Sequence, residues 1–284
     1  MTNVPAEAAQ PFVGLLGDTE ARDYAGKLSK FNAYARPELH GLIKDLGLKP
    51  GMHVLDAGCG TGEALNWLLG EVAPGRVVGI DLAAAHVAAA KLQAAPEIQL
   101  HRANLFDPVL EPATFDLVWC VNTINHLADP VKGAIHLATL LREGGRLSLG
   151  QSSFLPDMYF AWDARLEHAV NDAVRSYYRD RYHLDERDLK SVRALVGILR
   201  RARLQNVAVR TVMIERISPL DAASESYLQD TIFRGTWGER LRPYLSPDDF
   251  AELAQLCDPQ HANYALRRPD FHFLQTFTLA TGEI

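Results

Sequence analysis

"VLDAGCGTGEAL", Val54–Leu65, places three glycines and a cysteine between an apolar run and the start of a helical pattern. Glycine reaches backbone angles closed to other residues and lets a ligand approach the main chain, so Gly58, Gly60 and Gly62 after a strand signature predict a binding turn. The plain alternative is a tight strand-to-helix connection with no ligand. A dinucleotide turn is a third reading, but it uses Gly-x-Gly-x-x-Gly to bring a pyrophosphate to a helix N-terminus. Here the spacing is Gly-x-Gly-x-Gly, and Glu63 opens the helix where a diphosphate would be repelled. No Lys-Ser or Lys-Thr pair closes the turn as in a phosphate loop.

The surrounding chain has the composition of a water-soluble globular protein. Its 284 residues are 48% hydrophobic and 23% charged, enough for one sizeable core with insertions. The formal net charge of -6 speaks against a nucleic-acid scaffold, which must neutralise phosphates. Cys59, Cys120 and Cys257 are few, odd in number and widely spaced, which points to a reducing compartment rather than a disulfide framework or a thiolate metal cluster. The opening "MTNVPAEAAQPFVG" lacks a basic start followed by an apolar run, and no stretch stays apolar long enough to span a membrane. A cytoplasmic protein is expected.

Working outward from the glycine turn, strand signatures occur at His53–Ala57, Arg76–Ile80, Ile98–Arg102, Phe115–Val121 and Arg146–Gln151, with room for helices between the first three and between the last two. This alternation predicts a parallel sheet covered on both faces. Ahead of it lies helical material broken at Pro37 and closed by Gly47. Beyond Phe154 a helix is expected over Asp157–Tyr178, capped by Asp157 and apolar at Leu166, Val170, Ala173, Val174 and Tyr177. Asp185 with Asp188 resembles a capping box ahead of Leu189, Val192, Val196 and Leu199. A strand at Val207–Ile217, a mostly helical excursion from Pro219 to about Ala262, and a strand at Phe271–Thr281 complete the chain. Both faces of that last strand are substantially apolar, which places it inside the sheet. The implied organisation is an N-terminal helical cap over 1–50, a cofactor-binding half over 51–154, a helical insertion over 155–184, the rest of the sheet over 185–218 and 263–284, and a second helical insertion over 219–262.

"VLDAGCGTG" resembles the first motif of the class I S-adenosylmethionine-dependent methyltransferases. The order of elements is similar to that family's Rossmann-like, mostly parallel, seven-stranded α/β sheet with the last strand antiparallel, here with helical lid insertions. The likeness is specific over about Gly51–Leu149. It implies S-adenosylmethionine as cofactor, S-adenosylhomocysteine as product, and a methyl acceptor as the partner. By resemblance, Asp56 organises the methionine amino end, the turn of Gly58, Cys59, Gly60 and Gly62 approaches the cofactor, and Asp81, with Leu82 beside it, binds the ribose hydroxyls. The chemistry fits, since a carboxylate accepts from two hydroxyls. Asn104 stands where the family often has an acid for the adenine amino group; an amide oxygen can accept the same bond. Leu105 and Phe106 would contact the adenine, Val121 and Asn122 would line the cofactor, and Asp107 is a candidate cap of the following turn. "NHLADP" resembles an H-x-x-D-P ending found in small-molecule members of the family.

The resemblance leaves the acceptor open. A hydroxyl acceptor must lose its proton, and histidine suits that near neutral pH, which nominates His126 and, second, His183; no metal is required. A histidine that packs or bonds to backbone is the duller reading of His126. Residues outside the common sheet offer Tyr24 and Tyr34, then Tyr159, Trp162, Tyr177, Tyr178 and Tyr182, then Phe233, Arg234, Trp237 and Arg240. Aromatic walls around a few polar groups suit a small organic ligand, and Arg234 could pair with an acidic acceptor. The same aromatics could instead pack lid helices. Arg175–Arg203 carries nine basic and four acidic residues, read as a solvated helix face rather than an RNA surface. "VNTINH" replaces the Asn-Pro-Pro-Tyr type signature of base methylation. The expected function is methylation of a small molecule, preferentially on oxygen. A macromolecular acceptor, or a cyclase or binding protein on the same fold, are the alternatives, and the insertions could form a lid or a homodimer interface.

Overall fold

The computed structural model describes residues 24–106, 110–152, 159–160, 163–182 and 191–284. Its frame is a sheet of five parallel strands, β1 (His53–Ala57), β2 (Arg76–Asp81), β3 (Gln99–Arg102), β4 (Phe115–Val121) and β5 (Leu141–Ser152), followed by β6 (Tyr159–Phe160), β7 (Gln205–Ile217) and β8 (His272–Glu283). The parallel strands run in the order β3-β2-β1-β4-β5. β8 enters antiparallel between β5 and β7 (Leu149 opposite Ala280, Val212 opposite Phe277). The two-residue β6 pairs further along β8, at Leu274 and Phe273. The sheet is thus seven main strands, with β6 as a short addition.

Apolar side chains at successive strand positions divide between two cores, because neighbours on a strand face opposite ways. Val54, Val77, Leu117 and Trp119 join the core under one helical layer; Leu55, Val78, Val118 and Cys120 join the other. The first layer holds α1 (Tyr24–Tyr34), α2 (Arg36–Asp45), α3 (Glu63–Val72) and α4 (Ala84–Gln93); α5 (Pro130–Thr139) and α7 (Ser191–Arg201) pack in the second. The break before Pro37 falls at Ala35, and Gly47 takes a φ of +63° after α2. The helix after β5, α6, covers Ala164–Tyr182, with Leu166, Val170, Ala173 and Val174 buried. It starts later than the Asp157 cap implied; Asp157, Asp185, Asp188 and Leu189 lie outside the described residues.

After β7 come α8 (Ala222–Ser226), a π-helical segment at Tyr227–Trp237 and α9 (Pro247–Cys257), which pack beside α1 and α6. Arg216 of β7 locks this side. Its guanidinium donates to both carboxylate oxygens of Glu38 in α2, at 2.7 and 3.0 Å, and lies over the Tyr34 ring at 4.8 Å.

Candidate active site

The strand order reverses between β1 and β4, so the helices leave the sheet in opposite directions there and open a cleft outside the carboxyl ends of the strands. A cavity of about 160 Å³, far beyond the room for one water, lies at that point. Asp56, Asp81 and Val121, at or next to the ends of β1, β2 and β4, all line it.

The glycine turn is stapled to the end of β2 by three hydrogen bonds. The amides of Gly58 and Cys59 donate to the Ile80 carbonyl at 2.8 and 2.9 Å, and that of Gly60 donates to Asp81 Oδ2 at 2.9 Å. Gly58, Gly60 and Gly62 all have positive φ, +83°, +53° and +89°. Their reasons differ. A Cβ on Gly58 would lie 2.3 Å from Thr123 Oγ1, and one on Gly62 would lie 2.8 Å from the Ala90 methyl of α4. At Gly60 the nearest neighbour is Leu28 of α1 at 3.2 Å, and Gly60 lines the cavity. The expectation that all three glycines serve close ligand approach is therefore narrowed to Gly58 and Gly60, since Gly62 packs against α4 and is not on the cavity wall.

The two carboxylates are held very differently. Asp81 accepts from Gly60 and from the Ala83 amide (2.9 Å to Oδ1), and the His86 ring nitrogen Nδ1 lies 3.2 Å from the same oxygen. Asp56 is 3% exposed, and among the described residues no hydrogen bond offsets the burial of its carboxylate. Burial, with the negative charges of Asp81 and Glu63 adding to it, pushes its pKa up to about 8. A buried carboxylate so placed, facing a cavity, fits a cationic group of a ligand. Glu63 is engaged, accepting from Thr61 Oγ1 at 2.8 and 2.7 Å and from Asn32 Nδ2 at 3.1 Å. This acid at the head of α3 leaves no welcome for a diphosphate.

Cys59, Leu82, Asn104, Leu105, Asn122 and His126 also line the cavity, so the structure gathers most residues read from the motifs into one place. Cys59 is buried and its thiol pKa is pushed up by desolvation, which leaves it an apolar wall rather than a nucleophile. The Asn104 amide oxygen accepts from the Phe106 amide at 3.0 Å, keeping a second lone pair and its own NH₂ for a ligand. Phe106 itself packs against the second core instead of lining the cavity. Asn122 takes a φ of +52° and accepts from the Ser152 amide at 3.0 Å, which ties the end of β4 to β5.

The expected substrate residues are corrected in several places. Tyr34, Phe233 and Trp237 do not line the cavity; each is at most 1% exposed. Tyr34 stacks on Tyr227 with centroids 4.3 Å apart, and Phe233 stacks on Trp237 at 5.2 Å. Large aromatic faces bury more area against each other than against an open cleft, so they became the core of the helical layer. Arg234 is exposed and pairs with Asp230 at 3.3 Å; Tyr178 packs edge-on to Tyr177, and Arg240 lies over the Tyr177 ring. The side chains of Tyr24, Tyr159, Trp162, Tyr182 and His183, and Asp107, lie outside the described residues.

Sequence reasoning missed Leu28, Asn32, Trp67, His86, Trp119 and Thr123, which all line the cavity. Some signal was there. Leu28 and Asn32 are four apart on α1, one helical face, and Trp119 precedes Val121 by two on β4, one strand face.

Residues 55–149 match the profile of a methyltransferase domain family. The chain is 34% identical over 110 residues to a ubiquinone biosynthesis O-methyltransferase of Paracidovorax citrulli, covering 37% of this chain and 45% of that protein. It is 32% identical over 121 residues to nocamycin O-methyltransferase of Saccharothrix syringae, covering 41% and 43%. The chain thus spans less than half the length of the curated relatives it matches. Among solved structures it is similar to the YcgJ protein of Bacillus subtilis, with a TM-score of 0.54 at 17% identity over 86% of this chain and 97% of that one. It is also similar to phosphoethanolamine N-methyltransferase 2 of Haemonchus contortus, solved with S-adenosylmethionine, with a TM-score of 0.52 at 18% identity over 93% and 59%. The fold is that of the class I S-adenosylmethionine-dependent methyltransferases, and the donor set of the cleft fits that cofactor.

Proposed function

With this fold as premise, we propose that the chain transfers a methyl group from S-adenosylmethionine to a small organic acceptor, with a hydroxyl oxygen as the atom methylated. The observation that carries the reading is the pairing, in one cleft, of a buried Asp56 carboxylate with no stabilising hydrogen bond among the described residues and an Asp81 carboxylate fixed by backbone amides. When bound, the cofactor supplies a methyl carbon that is already a strong electrophile. The protein's share is binding, alignment, exclusion of water and acceptance of one proton.

Asp56 is the partner for an ammonium group, and Asp81 for a pair of ribose hydroxyls. Asn104 offers an oxygen and an amide NH₂ to the edge of a base, with Leu105 as apolar contact. Leu28, Trp67, Trp119, Val121 and Leu127 give the cavity apolar walls, which strengthens the charged contacts by keeping water out. His126, on the short turn Ile124–His126 after β4, takes the proton that a hydroxyl surrenders as its oxygen attacks. The two relatives named as O-methyltransferases support oxygen over nitrogen or carbon.

The test is incubation with methyl-labelled S-adenosylmethionine and small-molecule and macromolecular fractions of a cell extract. Label in the small-molecule fraction, in a product that carries it as a methyl ether, is expected. Label confined to protein or RNA overturns the reading.

A further inference from the structure

β7 is an edge strand of thirteen residues that pairs with β8 on one side and, among the described residues, with nothing on the other. Long open edges invite pairing with another chain, and proteins usually guard them with charge. Here the charged side chains are already committed within the chain: Arg210 pairs with Asp45, Arg216 with Glu38, and Glu215 with His272. The strand's outward face alternates apolar with polar side chains, Thr211 and Glu215 standing between Val209, Met213 and Ile217. Val209, Met213 and Ile217 are 49%, 53% and 62% exposed, and their even spacing puts them on one face of the strand.

We propose that β7 pairs antiparallel with β7 of a second copy of this chain, about a two-fold axis through Met213. An isologous interface must be self-complementary, and the strand is symmetric about that residue. Val209 would stand opposite Ile217 of the second copy, Met213 opposite Met213, and Thr211 opposite Glu215. Moving the axis by one residue along the strand destroys the match, because Val209 then meets Glu215 or Thr211 meets Ile217. On the other face Val212 meets Ile214, and Arg210 meets Arg216, each guanidinium neutralised by its own α2 carboxylate. Paired apolar side chains on one sheet face and a continued backbone ladder supply the attraction.

Light scattering of the full chain tests the assembly, and cysteine placement tests the register. The wild type is expected at the mass of two chains, and Met213→Glu at the mass of one with an unchanged far-ultraviolet spectrum. Should Met213→Glu fail to fold, Val209→Glu serves, since that side chain is also half exposed. Opposed residues in an antiparallel pair have Cα atoms about 4.5–5.5 Å apart, within disulfide reach. Under mild oxidation Met213→Cys therefore crosslinks to a covalent dimer, Val209→Cys alone does not, and the Val209→Cys/Ile217→Cys double variant does. A monomeric wild type at every concentration overturns the proposal, as does a dimer in which Met213→Cys gives no crosslink.

Discussion

Thr123 occupies the space where a side chain on Gly58 would stand, with its Oγ1 2.3 Å from that ideal Cβ position, donating to the Val121 carbonyl at 2.9 Å and lying 3.3 Å from the Gly58 carbonyl. The turn after β1 and the turn after β4 are thereby one packed unit across the mouth of the cleft. Gly58→Ala is expected to cost about 1–2 kcal/mol for the left-handed backbone and about 1–3 kcal/mol for overpacking. The second part returns when Thr123 is also made Gly, so denaturant unfolding of both singles and the double should show coupling. Strict additivity would mean that Thr123 is not what forbids the side chain.

Asp56 makes the ligand-free protein sensitive to pH. Its carboxyl is pushed up to about 8, chiefly by burial. An acid with a raised folded pKa binds its proton more tightly folded than unfolded, so stability falls as pH climbs from the ordinary carboxylate range towards 8. Asp56→Asn should flatten that slope. A cationic ligand group expels the proton, so S-adenosylhomocysteine should bind more tightly as pH rises towards 8, and calorimetry in buffers of different ionisation enthalpy should detect proton release near neutrality. Affinity independent of pH in this window would show that Asp56 does not meet the ligand's ammonium.

Asp81 serves the turn and the ligand together. Asp81→Asn keeps an oxygen for one of the Gly60 and Ala83 amides but loses the charge. It should weaken S-adenosylhomocysteine binding by about tenfold to a hundredfold, the range for one or two hydrogen bonds to a charged group. Isothermal titration reads this directly, and an unchanged Kd would remove Asp81 from the site.

His126 is the test of oxygen as the accepting atom. Once an acceptor is in hand, His126→Ala should lower kcat by about 10²–10⁴, the range for a general base, with the acidic limb of the pH profile lost. A fall in kcat with the limb preserved would assign His126 to packing.

Arg216 joins β7 to the N-terminal helices through Glu38 and the Tyr34 carbonyl. With side chains 14% and 18% exposed, Arg216 and Glu38 are nearly buried partners. Arg216→Ala leaves Glu38 uncompensated and should cost up to about 3 kcal/mol, while removing both partners costs less than the two singles combined. Chemical denaturation of the three variants decides it.

The strands of the sheet were legible because burial on both faces demands apolar runs: His53–Ala57 and Phe115–Val121 stand where the sequence places them, and β8 lies inside the sheet as its two apolar faces require. The cofactor side of the cleft was legible on a different ground. Asp56 and Asp81 stand next to or at the ends of adjacent parallel strands, the edge where such sheets bind ligands, and the resemblance of the glycine motif to a known family is what singled them out. Aromatic positions outside the sheet carried no such constraint. Tyr34, Phe233 and Trp237 have the same composition whether they wall a pocket or pack a layer, and the choice went to whichever contact buried more surface.

The chain's own sequence therefore determined the fold class and the glycine turn, since strand periodicity and positive-φ glycines are local demands that each residue type answers by itself, while Asp56 and Asp81 were singled out by the resemblance of "VLDAGCGTG" and its surroundings to a known family. Tertiary structure alone decided that Thr123 backs Gly58, that Leu28 and Asn32 of α1 reach the cleft, that His86 meets Asp81, and that Val209, Met213 and Ile217 of β7 stay exposed. Those relations join residues far apart along the chain or on separate elements, and only the packing of whole helices and strands brings them within reach of one another.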